Sequence, residues 1–220
     1  MNKKCPACNV INFPNAEECV RCRSALTGTE IKNIVPKQTV SRLLKRIVIC
    51  AFVCVAVIFG FYLSLIASAK SLSIEQRIIV RNAIAVLNER GFSSDIFLLY
   101  HFAAFRSEDN WLNASVAKEN AYAATNFPFE IVTVYPDFFT YPIDETERAA
   151  ILLHESRHLL GEDEHAAYAF VWNHRKQLGW TKAKYSRSVV WRNVRKQTVE
   201  NVPELFVCDG NDIEVADCTE

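Results

Sequence analysis

No charged side chain falls between Ile47 and Ala69, a run of 23 residues (47 to 69) reading IVICAFVCVAVIFGFYLSLIASA. A helix rises about 1.5 Å per residue, so this run is long enough to cross the roughly 30 Å hydrocarbon layer of a bilayer. Nothing strongly polar interrupts it, which argues against a buried helix of a soluble domain. A secretory signal also fits poorly, because the run starts only at Ile47 and its apolar stretch is too long. The sequence therefore predicts a transmembrane helix at 47–69, which divides the chain. Residues 1–26 form a Cys-rich head, 27–46 a linker, and 72–220 a globular tail long enough to bury its own core. Gly28 and Pro36 act as breakers in the linker, read most clearly over Thr27–Gln38.

The 25 basic and 25 acidic residues balance, which excludes a general electrostatic pull toward nucleic acid. Their layout is uneven. Lys32, Lys37, Arg42, Lys45 and Arg46 precede the apolar run, against Lys70, Arg77 and Arg81 after it. By the positive-inside rule this bias favours a cytoplasmic N-terminus and a tail outside the cytoplasm.

The eight cysteines sort in the same way. Cys5-x2-Cys8 and Cys19-x2-Cys22 are paired knuckles, each a tight turn aiming two thiolates at one ion. Four sulfur ligands close a tetrahedral site, so the expected zinc here is structural. So short a segment cannot build a core, and the metal must supply its folding energy. Cys50 and Cys54 read as small apolar residues of the membrane run. Cys208 and Cys218 form an isolated pair that suits an oxidising compartment, as a disulfide around CDGNDIEVADC or as two free thiols.

In the tail, Ser73 caps a helix whose apolar face is marked by Ile74, Ile78, Ala85 and Leu87, with Gly91 as its stop. Ile96–Tyr100 and Glu130–Tyr135 read as strands, the second β-branched and ended by Pro136. Residues 107–128 are poorly patterned. Asp144 is a good N-cap, with Glu147 at capping-box spacing and acidic residues in the first turn. That helix runs to Gly161. Another follows over Glu162–Leu178, and an amphipathic one over Lys182–Val199.

The second of these helices carries His154-Glu155-Ser156-Arg157-His158. Residues four apart share a helix face, so both imidazoles can reach one metal ion. The carboxylate of Glu155 stands beside them, ready to take a proton from a metal-bound water. Catalytic zinc needs a third protein ligand. Glu164 is the first choice, with His165 and then Glu162 as alternatives. A solvated acidic helix start would account for the same residues without a metal. His165, Tyr168 and Tyr185 are candidates to stabilise an oxyanion. His101 and His174 read as structural, and Trp172, Trp180 and Trp191 as core anchors.

The spacing C-x2-C-x3-N-x6-C-x2-C resembles the zinc fingers of Ran-binding nucleoporins and the short N-terminal zinc ribbons of bacterial membrane proteins. No Trp precedes Cys5, which favours the bacterial type and a docking or folding role, with a cytosolic protein as partner. The order strand, capped H-E-x-x-H helix, glycine turn and second helix resembles the zincin metallopeptidases. Metzincins need a methionine turn, and the only methionine is Met1. Glu164, followed by Ala167 and Tyr168, resembles the third-ligand stretch of compact gluzincins. The resemblance implies an α+β zincin-like domain with a small sheet, whose edge strand borders the cleft; Glu130–Tyr135 is the candidate. It further implies a catalytic zinc on His154, His158 and Glu164, with Glu155 as general base, beside the structural zinc on Cys5, Cys8, Cys19 and Cys22. The expected activity is peptide hydrolysis by a single-pass protein of a bacterial inner membrane, acting on a peptide or protein substrate in the periplasm. A non-catalytic interaction protein and an amidase acting on cell-wall material stand as alternatives.

Overall fold

The computed structural model describes residues 2–26, 37–112 and 121–207. Cys208 and Cys218, and the linker residues 27–36, lie outside the described residues. The architecture is α+β, with eight helices and two small sheets among the described residues.

The head is a two-strand ribbon, β1 (Lys3–Lys4) antiparallel to β2 (Ile11–Asn12). Only Cys5, Cys19 and Leu26 form its buried apolar cluster. Next comes α1 (Lys37–Ser68), which begins inside the expected linker. Its stretch Ser41–Ser68, 28 residues with mean hydropathy 2.7, is long and apolar enough to cross a membrane. Every residue from 41 to 60 is exposed.

The tail opens with α2 (Ile74–Glu89), where Ser73 and Gln76 close a full capping box. The expected helix is present, but its inner face differs from the one read in the sequence. Val80, Ala83, Ile84 and Leu87 are buried, while Ile74 and Ile78 are exposed and Ala85 faces outward. A helix rich in aliphatic residues on several sides offers more than one stripe, and tertiary packing selects among them. The expected strand at Ile96–Tyr100 is also corrected. It belongs to α3 (Ser93–His101), which turns Asp95 and Leu99 into the core. Periodicity alone does not separate a short buried helix from a strand.

Three strands form the tail's sheet: β3 (Ala104–Arg106), β4 (Ala123–Asn126) and β5 (Ile131–Val134). Their order is β3-β5-β4, with β3 parallel and β4 antiparallel to β5. The strand expected at Glu130–Tyr135 is therefore present but central, and all four of its residues are buried. An unbroken β-branched run suits a strand covered on both faces, not an edge. The edge on the side of the candidate site is β4, which came from the unpatterned stretch.

A short α4 (Pro136–Thr140) leads to α5 (Glu145–Leu159), which packs on α2, α3, β4 and α6 (Glu164–Leu178). Asp144 caps α5 by accepting from the Thr146 and Glu147 amides. Glu147 does not complete the box at Asp144. It is fully buried, accepts from the Ile143 amide at 3.0 Å, and takes hydrogen bonds from Ser188 and the Trp180 indole. Asp163 caps α6, so that helix starts two residues later than expected. The expected C-terminal helix is split into α7 (Lys182–Tyr185) and α8 (Val189–Asn201), because Ser188 caps a new start by accepting from the Trp191 amide. Trp172, Trp180 and Trp191 are buried against one another, with ring centroids 4.8 to 6.1 Å apart.

Candidate metal centre

Helix α5 presents His154 and His158 one turn apart, with their Nε2 atoms 3.0 Å from each other. Gly161 then reverses the chain at φ 78°, a left-handed conformation that costs glycine little. Two residues later the Asp163 cap starts α6, so that Glu164 is its first residue. Its carboxylate oxygens lie 3.2 Å from His154 Nε2 and 3.5 Å from His158 Nε2. Ligands bound at about 2.0–2.1 Å on tetrahedral corners stand about 3.3 Å apart. The three observed separations bracket that edge, so His154, His158 and Glu164 could hold a metal ion.

The electrostatics also favour a cation. Burial opposes charge on His158, yet the Glu164 hydrogen bond, the Glu162 carbonyl and the charges of Glu155 and Glu164 raise it to about 9. Hydrogen bonds from His154 and then His158 hold Glu164 well below the usual carboxylate range. The orientation of His158 is fixed from behind. Its Nδ1 donates to the Glu162 carbonyl at 2.9 Å, which leaves Nε2 toward the site.

The loop supplying that carbonyl is anchored in turn. Arg157 Nε donates to Glu162 at 2.9 Å, and Arg157 Nη1 to buried Asp95 at 3.2 Å. Ser156 Oγ donates to the same Asp95 at 2.7 Å. Ser156 and Arg157, two of the three residues between the histidines, thus tie the motif helix to α3.

Glu155 is 4 % exposed and lines the same cavity, of about 720 Å³, as the two histidines. Thr125 Oγ1, on edge strand β4, donates to Glu155 Oε2 at 2.7 Å. The His154 ring packs on Tyr168, with centroids 4.4 Å apart, and Tyr168 also lines the cavity. Burial, and then the charges of Glu164, Glu155 and Glu200, push the Tyr168 phenol upward, so it stays protonated at neutral pH. Gln197, Glu200 and Asn201 of α8 line another part of the cavity, and Phe127 lies at its Gly161 side.

The other sequence candidates do not join the ligand group. Glu162 faces Arg157, and His165 pairs with Glu204 at 2.6 Å. Buried Tyr185 donates to Asp144 at 2.8 Å and does not line the cavity. His174 stacks on Phe170, and His101 lies tilted against Phe97. Thr125, Phe127, Gln197, Glu200 and Asn201 were not legible in the sequence. They come from a strand, a turn and a distant helix that carry no motif, and only tertiary pairing brings them to the histidines.

In the head, Cys5, Cys8, Cys19 and Cys22 gather within 4.8 Å and could hold a second ion. The Cys5–Cys22 and Cys8–Cys19 sulfurs are each 3.5 Å apart, near the roughly 3.8 Å edge of a tetrahedron with 2.3 Å metal–sulfur bonds. The two knuckles repeat one design. The Asn9 amide donates to the Cys5 carbonyl and the Arg23 amide to the Cys19 carbonyl, both at 2.9 Å, with Asn9 and Arg23 left-handed. Asn12 holds the second knuckle, accepting from the Val20 amide at 2.9 Å.

Comparison with protein-family models, curated proteins and solved structures finds no match for the chain.

Proposed function

We propose that this protein is a membrane-anchored, zinc-dependent peptidase resembling the gluzincin type of zincin. The observation that carries the reading is the meeting of His154, His158 and Glu164 at tetrahedral-edge distances in the cavity lined by Glu155. Two neutral nitrogens and one carboxylate are the donor set of many catalytic zinc sites, and they leave a coordination position open. A zinc ion held there supplies a Lewis acid and an acidified water.

The chain's own groups do the rest. Glu155 accepts the proton of the attacking water as the new carbon–oxygen bond forms. It returns that proton to the amine nitrogen as the carbon–nitrogen bond breaks. Thr125 holds the carboxylate in place for both transfers. The protonated Tyr168 hydroxyl is the donor available for the developing oxyanion. An extended substrate adds to edge strand β4 by main-chain hydrogen bonds, and Gln197, Glu200 and Asn201 supply polar contacts from the opposite element.

The four cysteines hold a structural zinc, and the head docks a cytosolic protein. Helix α1 crosses the membrane with the N-terminus in the cytoplasm, as the flanking charges favour. The catalytic tail then lies outside the cytoplasm, in the periplasm of a bacterial cell.

The test is metal analysis and peptide-library hydrolysis with the purified full-length chain. The expected results are two zinc ions per chain, one lost in His154→Ala, and cleavage that disappears with that ion. A chain that keeps both ions in His154→Ala, or that cleaves nothing while fully loaded, would overturn the reading.

A further inference from the structure

The last turns of α1 do not stand free. From Ile58 onward the helix belongs to the same compact unit as the tail. Trp111 packs edge-on against Phe61 with centroids 5.4 Å apart, and its indole N–H donates to Ser64 Oγ at 3.3 Å. Its backbone amide donates to Ser68 Oγ at 3.3 Å. Phe129 lies 5.2 Å from the same Phe61 ring. Leu65, on the same turns of the helix, is fully buried.

The depth of these residues can be counted. Arg42, Lys45 and Arg46 precede the apolar run. About 20 helical residues cross the hydrocarbon layer, so a crossing that begins at Ile47 ends near Ile66. Phe61, Ser64 and Ser68 therefore bracket one edge of the layer. The exposed Lys70–Glu108 ion pair, at 3.0 Å, follows where headgroups and water begin. Trp111 is 50 % exposed and Phe127 59 % exposed, so both rings have free surface beside that edge.

Phe127 and Phe129 belong to one turn, closed by the Phe129 amide donating to the Asn126 carbonyl at 2.9 Å. Two residues apart, their Cα atoms stand at most about 7 Å from each other. Phe129 sits on the membrane helix, while the Phe127 ring lies against Gly161 and lines the cavity of His154, Glu155 and His158.

We infer that Trp111 and the Phe127–Phe129 turn lie in the lipid interface and hold one rim of the cavity at the bilayer surface. Lipid, not a protein partner, is the occupant, because the ledge is continuous with a membrane-spanning helix at the depth where acyl chains meet headgroups. Aromatic rings favour that level. The inference rests on α1 crossing the membrane and needs no catalysis. Together with the hydrolase reading, it makes the substrate a polypeptide segment that runs close to the membrane surface.

Tryptophan fluorescence tests it, because Trp172, Trp180 and Trp191 are buried and Trp111 is the half-exposed reporter. The full chain is placed in phosphatidylcholine vesicles whose acyl chains are brominated near the headgroup or near the bilayer centre. Headgroup-proximal bromines should quench a wild-type component that is absent in Trp111→Phe. In that background, Phe127→Trp should restore shallow quenching. Equal quenching of wild type and Trp111→Phe would overturn the ledge. An unquenched Phe127→Trp, in protein retaining its zinc, would overturn the placement of the rim. Protein released from vesicles by alkaline wash would overturn the membrane span and the ledge together. Loss or retention of hydrolysis bears on neither.

Discussion

Thr125 Oγ1 donates a 2.7 Å hydrogen bond to Oε2 of Glu155, joining the sheet's edge strand to the candidate general base. A hydrogen bond to a charged group contributes about 1.5–3 kcal/mol. Thr125→Val keeps the shape and removes the donor. Turnover should fall roughly tenfold, given that about 1.4 kcal/mol corresponds to a factor of ten. Zinc content should stay at the wild-type level, since Thr125 is no ligand. Wild-type turnover in this variant would mean that Glu155 needs no such anchor.

Glu155 and His158 should separate chemistry from metal binding. Glu155→Gln preserves size and hydrogen bonding but cannot accept the proton. Hydrolysis should drop by about 10²–10⁴, the usual worth of a positioned base, with zinc retained. His158→Ala removes a ligand, so zinc and activity should disappear together. Parallel metal analysis and cleavage assays read the contrast. Cleavage by Glu155→Gln at the wild-type rate would reject the mechanism.

The ribbon offers an independent metal test. Its apolar cluster is three residues, Cys5, Cys19 and Leu26, too few to hold a fold without an ion. In the full chain, Cys19→Ser should lower zinc by one ion and expose residues 2–26 to protease. Hydrolysis by the tail should be unaffected. A protected ribbon lacking zinc would show that the thiols alone suffice.

The cap of the motif helix should give a pH-dependent stability term. Burial acts against ionised Asp144, but hydrogen bonds from Lys184, Tyr185 and the Glu147 amide outweigh it and lower its pKa. A folded pKa below the unfolded one stabilises above the unfolded value, about 3.9, and is lost as pH falls through the folded value. Asp144→Ala should cost about 1 kcal/mol near neutral pH. The gap from wild type should shrink below roughly pH 4. Melting curves at pH 7, 5 and 3 measure it, and a gap that widens on acidification would contradict the sign.

Local chemistry made the motif helix legible, because Asp144, Gly161 and the His154–His158 spacing each act within a few residues. It made β5 legible as a strand, though not as the centre of its sheet, since neighbours are chosen by distant chain. The Ser93–His101 helix was missed because its decisive contact, Asp95 with Ser156 and Arg157, spans some sixty positions. Thr125 was missed for the same reason. A threonine in a weakly patterned strand gives no sign that a glutamate thirty residues away will turn toward it. The spacing of Glu147 from Asp144 suits half of a cap, yet its carboxylate is a polar anchor in the core, bonded to Ser188 and Trp180.

Between the two histidines and Glu164 runs a short connection that is constrained in both its letters and its length. A Cβ at Gly161 would meet the Phe127 ring at 3.2 Å, on a backbone already at φ 78°. Only the short turn from Leu160 to Asp163 sets where α6 begins relative to α5. One residue inserted between Leu160 and Asp163 would shift the start of α6 and take Glu164 out of its 3.2 and 3.5 Å approach to the imidazoles, while leaving each helix intact. Drift in this gene is therefore constrained there by counting: single-codon insertions and deletions would silence the metal centre without unfolding the protein.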